Sequence, residues 1–129
     1  IEFCNILPAT EIAARMEKAL ALVQHSATTI LSEKEGTPLA ILEACATGLP
    51  VIATRHAGIK DVITENESGL LGNEFDVDDM AKKMILVAKD RALASRLGKE
   101  AYKRVSENFT MQQYISKVHS VIRQVIDKI

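Results

Sequence analysis

The sequence has little of what marks the specialised protein classes. Its 129 residues hold two cysteines, Cys4 and Cys45, each among apolar neighbours. Two thiols without metal-type spacing give neither a disulfide scaffold nor a zinc site, and predict buried free thiols in a cytosolic protein. Three histidines, His25, His56 and His119, are too scattered to gather a metal ion. No run approaches the ~18 apolar residues of a membrane span, and no secretory leader pattern is legible. Internal repeats and low-complexity tracts are absent. Net charge is only −1, which argues against a nucleic-acid partner.

What is present is an ordinary globular composition, 47% apolar and 26% charged, in a length that allows one domain at most. The charge is uneven. Residues 1–76 carry five basic and eleven acidic side chains, and residues 77–129 carry eleven basic and six acidic. The basic part reads either as solvated helix faces or as a surface for an anionic membrane or partner. The second reading would make the protein peripheral at the inner membrane face. The chain starts at Ile1, not Met, in a strand-like stretch. A piece of a longer protein is expected.

Strands and helices alternate along the first part. Residues 1–5 read as a strand. A helix is predicted over residues 8–19, with Thr10 as cap. Residues 20–24 read as a short buried strand, and residues 26–36 as a polar loop. Thr37-Pro38 opens a second helix, because proline suits the first helical position and the threonine before it can cap. Gly48 closes that helix in the left-handed conformation. Residues 50–53 are a short apolar strand of the parallel-sheet type. A loop over residues 54–58, a helical turn over 59–63, and a turn and strand over 68–71 follow. Only helices are predicted beyond: residues 77–89, 91–107, and 110 to the end. The last carries a 3.6-residue apolar stripe through Met111, Tyr114, Ile115, Val118, Val121, Ile122, Val125, Ile126 and Ile129. Such alternation predicts right-handed βαβ units on a parallel sheet. With three or four strands, the fold expected is α/β: a partial Rossmann-like parallel sheet followed by carboxyl-terminal helices. Residues 1–129 are read as one partial domain, with β/α units over 1–76 and helices over 77–129.

The stretch EGTPLAILEACATGLPVIAT, residues 35–54, carries the functional signal. Residues 39–46 are apolar except for Glu43. A helix apolar all round is a buried one, so Glu43 is expected to be a buried carboxylate that is paired, protonated or used. Glu35 precedes Pro38 and belongs to the loop. A loop acid, a helix amino terminus and a second acid then lie at the carboxyl ends of strands, where open α/β sheets bind ligands. Backbone N–H groups at the helix start suit a phosphate. Carboxylates suit sugar hydroxyls, because they accept from two O–H groups at once. These are the parts a nucleotide sugar requires. The spacing equally allows Glu43 to pair with a basic side chain and Glu35 to be solvated. At the same sheet edge, His25 either lines the ligand site or is a satisfied strand-end residue. Arg55 either meets a phosphate or base, or lies on the surface. His119 falls on the polar side of the last helix.

Three blocks together carry a family resemblance: EGTPLAILEACATGLPVIATRHAGIKDV (35–62), ENESGLLGNEFDVDDMAKKM (65–84) and LGKEAYKRVSENFT (97–110). They resemble the donor-binding segment of the retaining GT-B glycosyltransferases of family 4, the group 1 type. The shared features are a Glu, seven residues and a second Glu, then small-Gly-x-Pro-Val-Ile, a glycine-containing loop, and Gly-Leu-Leu. The resemblance runs from Phe3 to about Ile122.

It implies the donor-binding part of a glycosyltransferase. Such an enzyme moves a sugar, with retention, from a nucleotide-diphosphate sugar to a glycan or lipid-linked acceptor in polysaccharide or glycolipid synthesis. Glu43 would bind the donor's ribose hydroxyls. Glu35, the acid at the reacting centre, would hold hydroxyls of the transferred sugar. The amides of Gly36, Thr37 and Leu39 would line the sugar and distal phosphate. The common family form is Gly-x-Gly where this chain has Gly36-Thr37-Pro38, and Pro38 has no N–H to offer. No metal or other cofactor is implied, since basic side chains and the helix dipole hold the diphosphate. Those basic residues, and the acceptor-binding domain, would precede Ile1, so this chain alone should not catalyse transfer. The last helix often crosses to the amino-terminal domain in this fold. A partly bare stripe and self-association of the isolated chain are therefore expected, unless the helix packs within its own domain. Two alternatives are a non-catalytic nucleotide-sugar-binding or interaction module, and a sugar-nucleotide epimerase of the same fold.

Overall fold

The computed structural model describes residues 1–28, 36 and 38–128. Three parallel strands, β1 (Leu22–Gln24), β2 (Val51–Thr54) and β3 (Leu70–Gly72), form a sheet in the order β1-β2-β3. Leu22 sits opposite Val51, and Ile52 opposite Leu70. Helix α1 (Ala9–Lys18) precedes the sheet, and α2 (Leu39–Ala46) and α3 (Ile59–Val62) connect its strands. Helices α4 (Val77–Lys89), α5 (Arg91–Asn108) and α6 (Met111–Ile126) follow.

Both faces of the sheet are covered, so all of β2 is buried and its Val-Ile-Ala-Thr sequence needs no polar alternation. Val51, Ala53 and Leu71 point to one side, where Ile41, Ala44, Cys45, Ile59 and Val62 pack. Ile52 and Leu70 point to the other, against Met80, Val87 and Leu97. Helix α5 serves both sides: Ala94 and Leu97 join the second cluster, Ala101 and Val105 the first.

Local chemistry sets the helix ends. Gly48 adopts φ +73°. Its N–H donates to the Cys45 carbonyl at 3.0 Å and the Leu49 N–H to the Ala44 carbonyl at 3.0 Å. This pair of bonds is a Schellman closure, and Gly48 takes the left-handed conformation predicted for it. Asp90 ends α4 and caps α5 through the Leu93 N–H. Thr110 and Gln113 form a reciprocal capping box at the start of α6. Arg104 of α5 holds α3 from outside. Its guanidinium donates to the carbonyls of Val62 at 2.6 Å and Asp61 at 2.9 Å, the last two residues of that four-residue helix.

Four expectations need correction. Residues 1–5 are not a strand, and Ile1 and Phe3 are exposed. An extended segment becomes a strand only by pairing, and no described strand pairs with it. Thr10 lies inside α1. Pro8 takes the cap position, and its carbonyl accepts from the Glu11 and Ile12 N–H groups. Pro38 stands one position before α2 rather than inside it. Helix α2 is not buried all round: Ile41, Ala44 and Cys45 face the core, while Leu39, Ala40, Glu43 and Ala46 are exposed. Leu39, Glu43 and Ala46 recur at helical spacing on the face turned away from the sheet. Helix α6 has no buried residue, so its apolar stripe is bare within this domain. Among the described residues no helix is long and apolar enough to cross a membrane.

Candidate functional site at the carboxyl edge of the sheet

Parallel neighbours β1 and β2 are joined through α2, which must return the chain from their carboxyl edge to their amino edge. The amino end of α2 therefore lies at the edge where His25 follows β1 and Arg55 follows β2. Among the described residues no side chain caps that end. Its first N–H groups, and the positive end of its dipole, suit an anion. Gly36 is exposed, with no described neighbour within 4 Å of the position a Cβ would take. Leu39 is exposed in the first turn, and Glu43 one turn further on. Among the described residues no basic group pairs with Glu43. Exposed to water, its carboxylate needs no buried partner. Glu35 and Thr37 lie outside the described residues. Beside α2, a groove of about 530 Å³ runs between Leu39 and Leu42 on one wall and Phe109, Met111 and Tyr114 on the other.

Arg55 is half exposed and committed to Glu65 at 3.2 Å. Glu65 in turn accepts the Leu71 N–H at 2.8 Å, so Arg55 is tied to the start of β3. His25 is exposed, its ring edge-on to Phe75 with centroids 6.2 Å apart.

The edge also holds a cluster that pattern reading did not assemble. Thr54, fully buried at the end of β2, accepts from the Ser26 N–H at 2.9 Å and donates to the Ser26 carbonyl. Glu74, after β3, accepts from the Thr28 N–H at 2.6 Å and meets His56 Nδ1 at 2.7 Å. The Thr28 N–H first, and His56 after it, hold the Glu74 carboxyl below the usual carboxylate range. An ionised carboxylate only accepts, so Nδ1 of His56 carries a proton. His56 is 4% exposed. Ala57 and Phe75, the residues that follow His56 and Glu74, both have positive φ, +40° and +65°. Non-glycine residues hold such conformations only where their surroundings fix them, commonly at functional edges. Thr28, His56 and Glu74 are distant in sequence and ordinary in type. The histidine in a loop after a strand was the sole hint.

Known proteins share this architecture. The profile of the family "Glycosyl transferases group 1" matches residues 1–104. N-acetyl-alpha-D-glucosaminyl L-malate synthase of Bacillus anthracis is 30% identical over 97% of the chain. Amylovoran biosynthesis glycosyltransferase AmsK of Erwinia amylovora is 32% identical over 71%. The chain spans 35% and 23% of these two relatives' lengths. Sucrose-phosphate synthase of Thermosynechococcus elongatus superposes over 99% of the chain and 31% of its own, with TM-score 0.81 and 26% identity. An α/β domain with a three-stranded parallel sheet, matched by the group 1 profile over most of its length and by relatives in sequence and structure, belongs to the glycosyl transferases group 1 family of the GT-B superfamily.

Proposed function

We propose that this domain binds the nucleotide-diphosphate sugar of a retaining, family 4 glycosyltransferase that builds a polysaccharide or glycolipid. The observation that carries the reading is one helix bearing both an amino end that no described side chain caps and, one turn along, an exposed Glu43 that no described basic group pairs with. In this reading the Glu43 carboxylate accepts hydrogen bonds from the two ribose hydroxyls. The first N–H groups of α2 and the Gly36 backbone receive the distal phosphate and sugar, with the helix dipole opposing the diphosphate charge. Glu35 and Thr37 supply the remaining sugar contacts. The acceptor hydroxyl attacks the anomeric carbon from the face the diphosphate leaves, and the departing phosphate takes the proton. The diphosphate's basic partners and the acceptor site belong to the rest of the enzyme.

Ligand-observed NMR on the full-length protein with UDP, GDP and ADP, each with and without sugar, tests this. Saturation transfer to the ribose protons of one nucleotide, abolished in Glu43→Ala, is the expected result. Equal transfer to wild type and variant would remove Glu43 from the site. No transfer from any of the three would remove the donor reading.

A further inference from the structure

We infer that Glu74 is a positioning residue for the donor edge, its single carboxylate fixing the segments that leave all three strands. This rests on the donor-binding reading above. Glu74 lies two residues beyond β3, Thr28 four beyond β1 and His56 two beyond β2. One carboxylate joins them: the Thr28 N–H at 2.6 Å, the Thr28 hydroxyl at 3.4 Å and His56 Nδ1 at 2.7 Å.

The geometry sets what each contact does. Charge-assisted hydrogen bonds of this length are the strong kind. The bond to Nδ1 fixes the ring plane and tautomer of His56. The bond to the Thr28 backbone fixes the chain where it leaves β1 toward Gly36 and α2. A second tie, between Thr54 and both backbone groups of Ser26, pins the same segment to β2. Both turns that present the pair are held at positive φ, by Ala57 and Phe75. So the edge is preorganised through backbone that side chains hold from beneath, and Glu74 is where the three segments meet. A ligand entering there then meets chain exits at Thr28, His56 and Glu74 that are already fixed, and its ordering cost falls.

The test uses full-length wild type, Glu74→Ala and Glu74→Gln. Calorimetry with UDP-, GDP- and ADP-glucose gives donor affinity, amide hydrogen exchange reports on Thr28, and thermal unfolding reports on stability. In Glu74→Ala the Thr28 amide should exchange faster, and affinity for the donor that wild type binds should fall about tenfold, the scale of one charge-assisted hydrogen bond. Glu74→Gln keeps an oxygen for the Thr28 N–H and should recover most of both effects. A role confined to stability would lower the melting temperature while the folded protein kept wild-type affinity, and would overturn the proposal. So would unchanged Thr28 exchange in Glu74→Ala. Wild type that binds none of the three sugars would remove the donor reading, and this proposal with it, before any variant is compared.

Discussion

Gly48 and Gly98 meet where α5 crosses the end of α2: a Cβ on Gly98 would stand 2.0 Å from the Gly48 carbonyl oxygen and 3.4 Å from Pro50 Cδ. The contact is backbone on backbone, so no rotamer change can relieve it. Helix propensity alone favours Gly98→Ala by about 1 kcal/mol. Packing opposes it, and forcing α5 outward costs about 1–3 kcal/mol or more. Thermal unfolding should show a net loss of stability for Gly98→Ala. An unchanged or higher melting temperature would mean that the two helices separate without cost.

Glu43→Ala should weaken nucleotide binding by about 1.5–3 kcal/mol, the value of hydrogen bonds to a charged acceptor. The side chain is exposed, so the melting temperature should stay within experimental error of wild type. Calorimetric titration and thermal unfolding of the same preparations separate the two effects.

Acid stability should depend on Glu74. Its folded-state pKa lies below its ordinary value of 4.5. A carboxylate shifted this way contributes stability at pH values above its unfolded pKa and loses it as pH falls through the folded one. Wild type should therefore lose stability from about pH 4.5 downward. Glu74→Gln should be less stable than wild type at neutral pH and show a shallower decline over that range. Denaturant midpoints measured from pH 7 to pH 3 provide the check. Parallel curves for the two proteins would assign the acid limb to other carboxyls.

Cys45 should be inert to thiol reagents in the folded protein. Burial on the inner face of α2 pushes its pKa up to about 11, so at pH 8 it is almost wholly protonated as well as inaccessible. Cys4 is partly exposed and should be modified first. Mass spectrometry after timed alkylation, with and without denaturant, distinguishes them. Rapid labelling of Cys45 without denaturant would contradict the packing of α2.

Helix α6 makes a prediction of the opposite kind. None of its residues is buried, so Ile122→Ser should leave the melting temperature of this domain unchanged. A core isoleucine such as Ile41 should cost several kcal/mol when cut to alanine. A marked loss from Ile122→Ser would show that something covers the stripe.

Much of the fold was legible because its signals are local. Gly48 closes α2, the helical periodicity bounds the helices beyond residue 76, and the unbroken apolar run at residues 51–53 marks a strand covered on both faces. The exposure of Glu43 was not legible. Helix α2 carries apolar residues on its open face too, so composition could not tell which side met the sheet. Residues 1–5 have the side chains of a strand, but pairing is a property of neighbours, which a single segment does not reveal. The Thr28–His56–Glu74 cluster depends on parallel strands placing three ordinary residues, up to 46 positions apart, at one edge.

Arg104 bears on when this domain folds as well as on how. A helix of four residues has too few internal hydrogen bonds to persist alone, and the terminal carbonyls of α3 are satisfied by a guanidinium 42 and 43 positions later. During synthesis α3 should gain its full stability only once α5 has left the ribosome and docked. The turn that presents His56 runs directly into α3. The carboxyl edge of the sheet should therefore be among the last parts of the nascent chain to take shape, although most of its residues are made first.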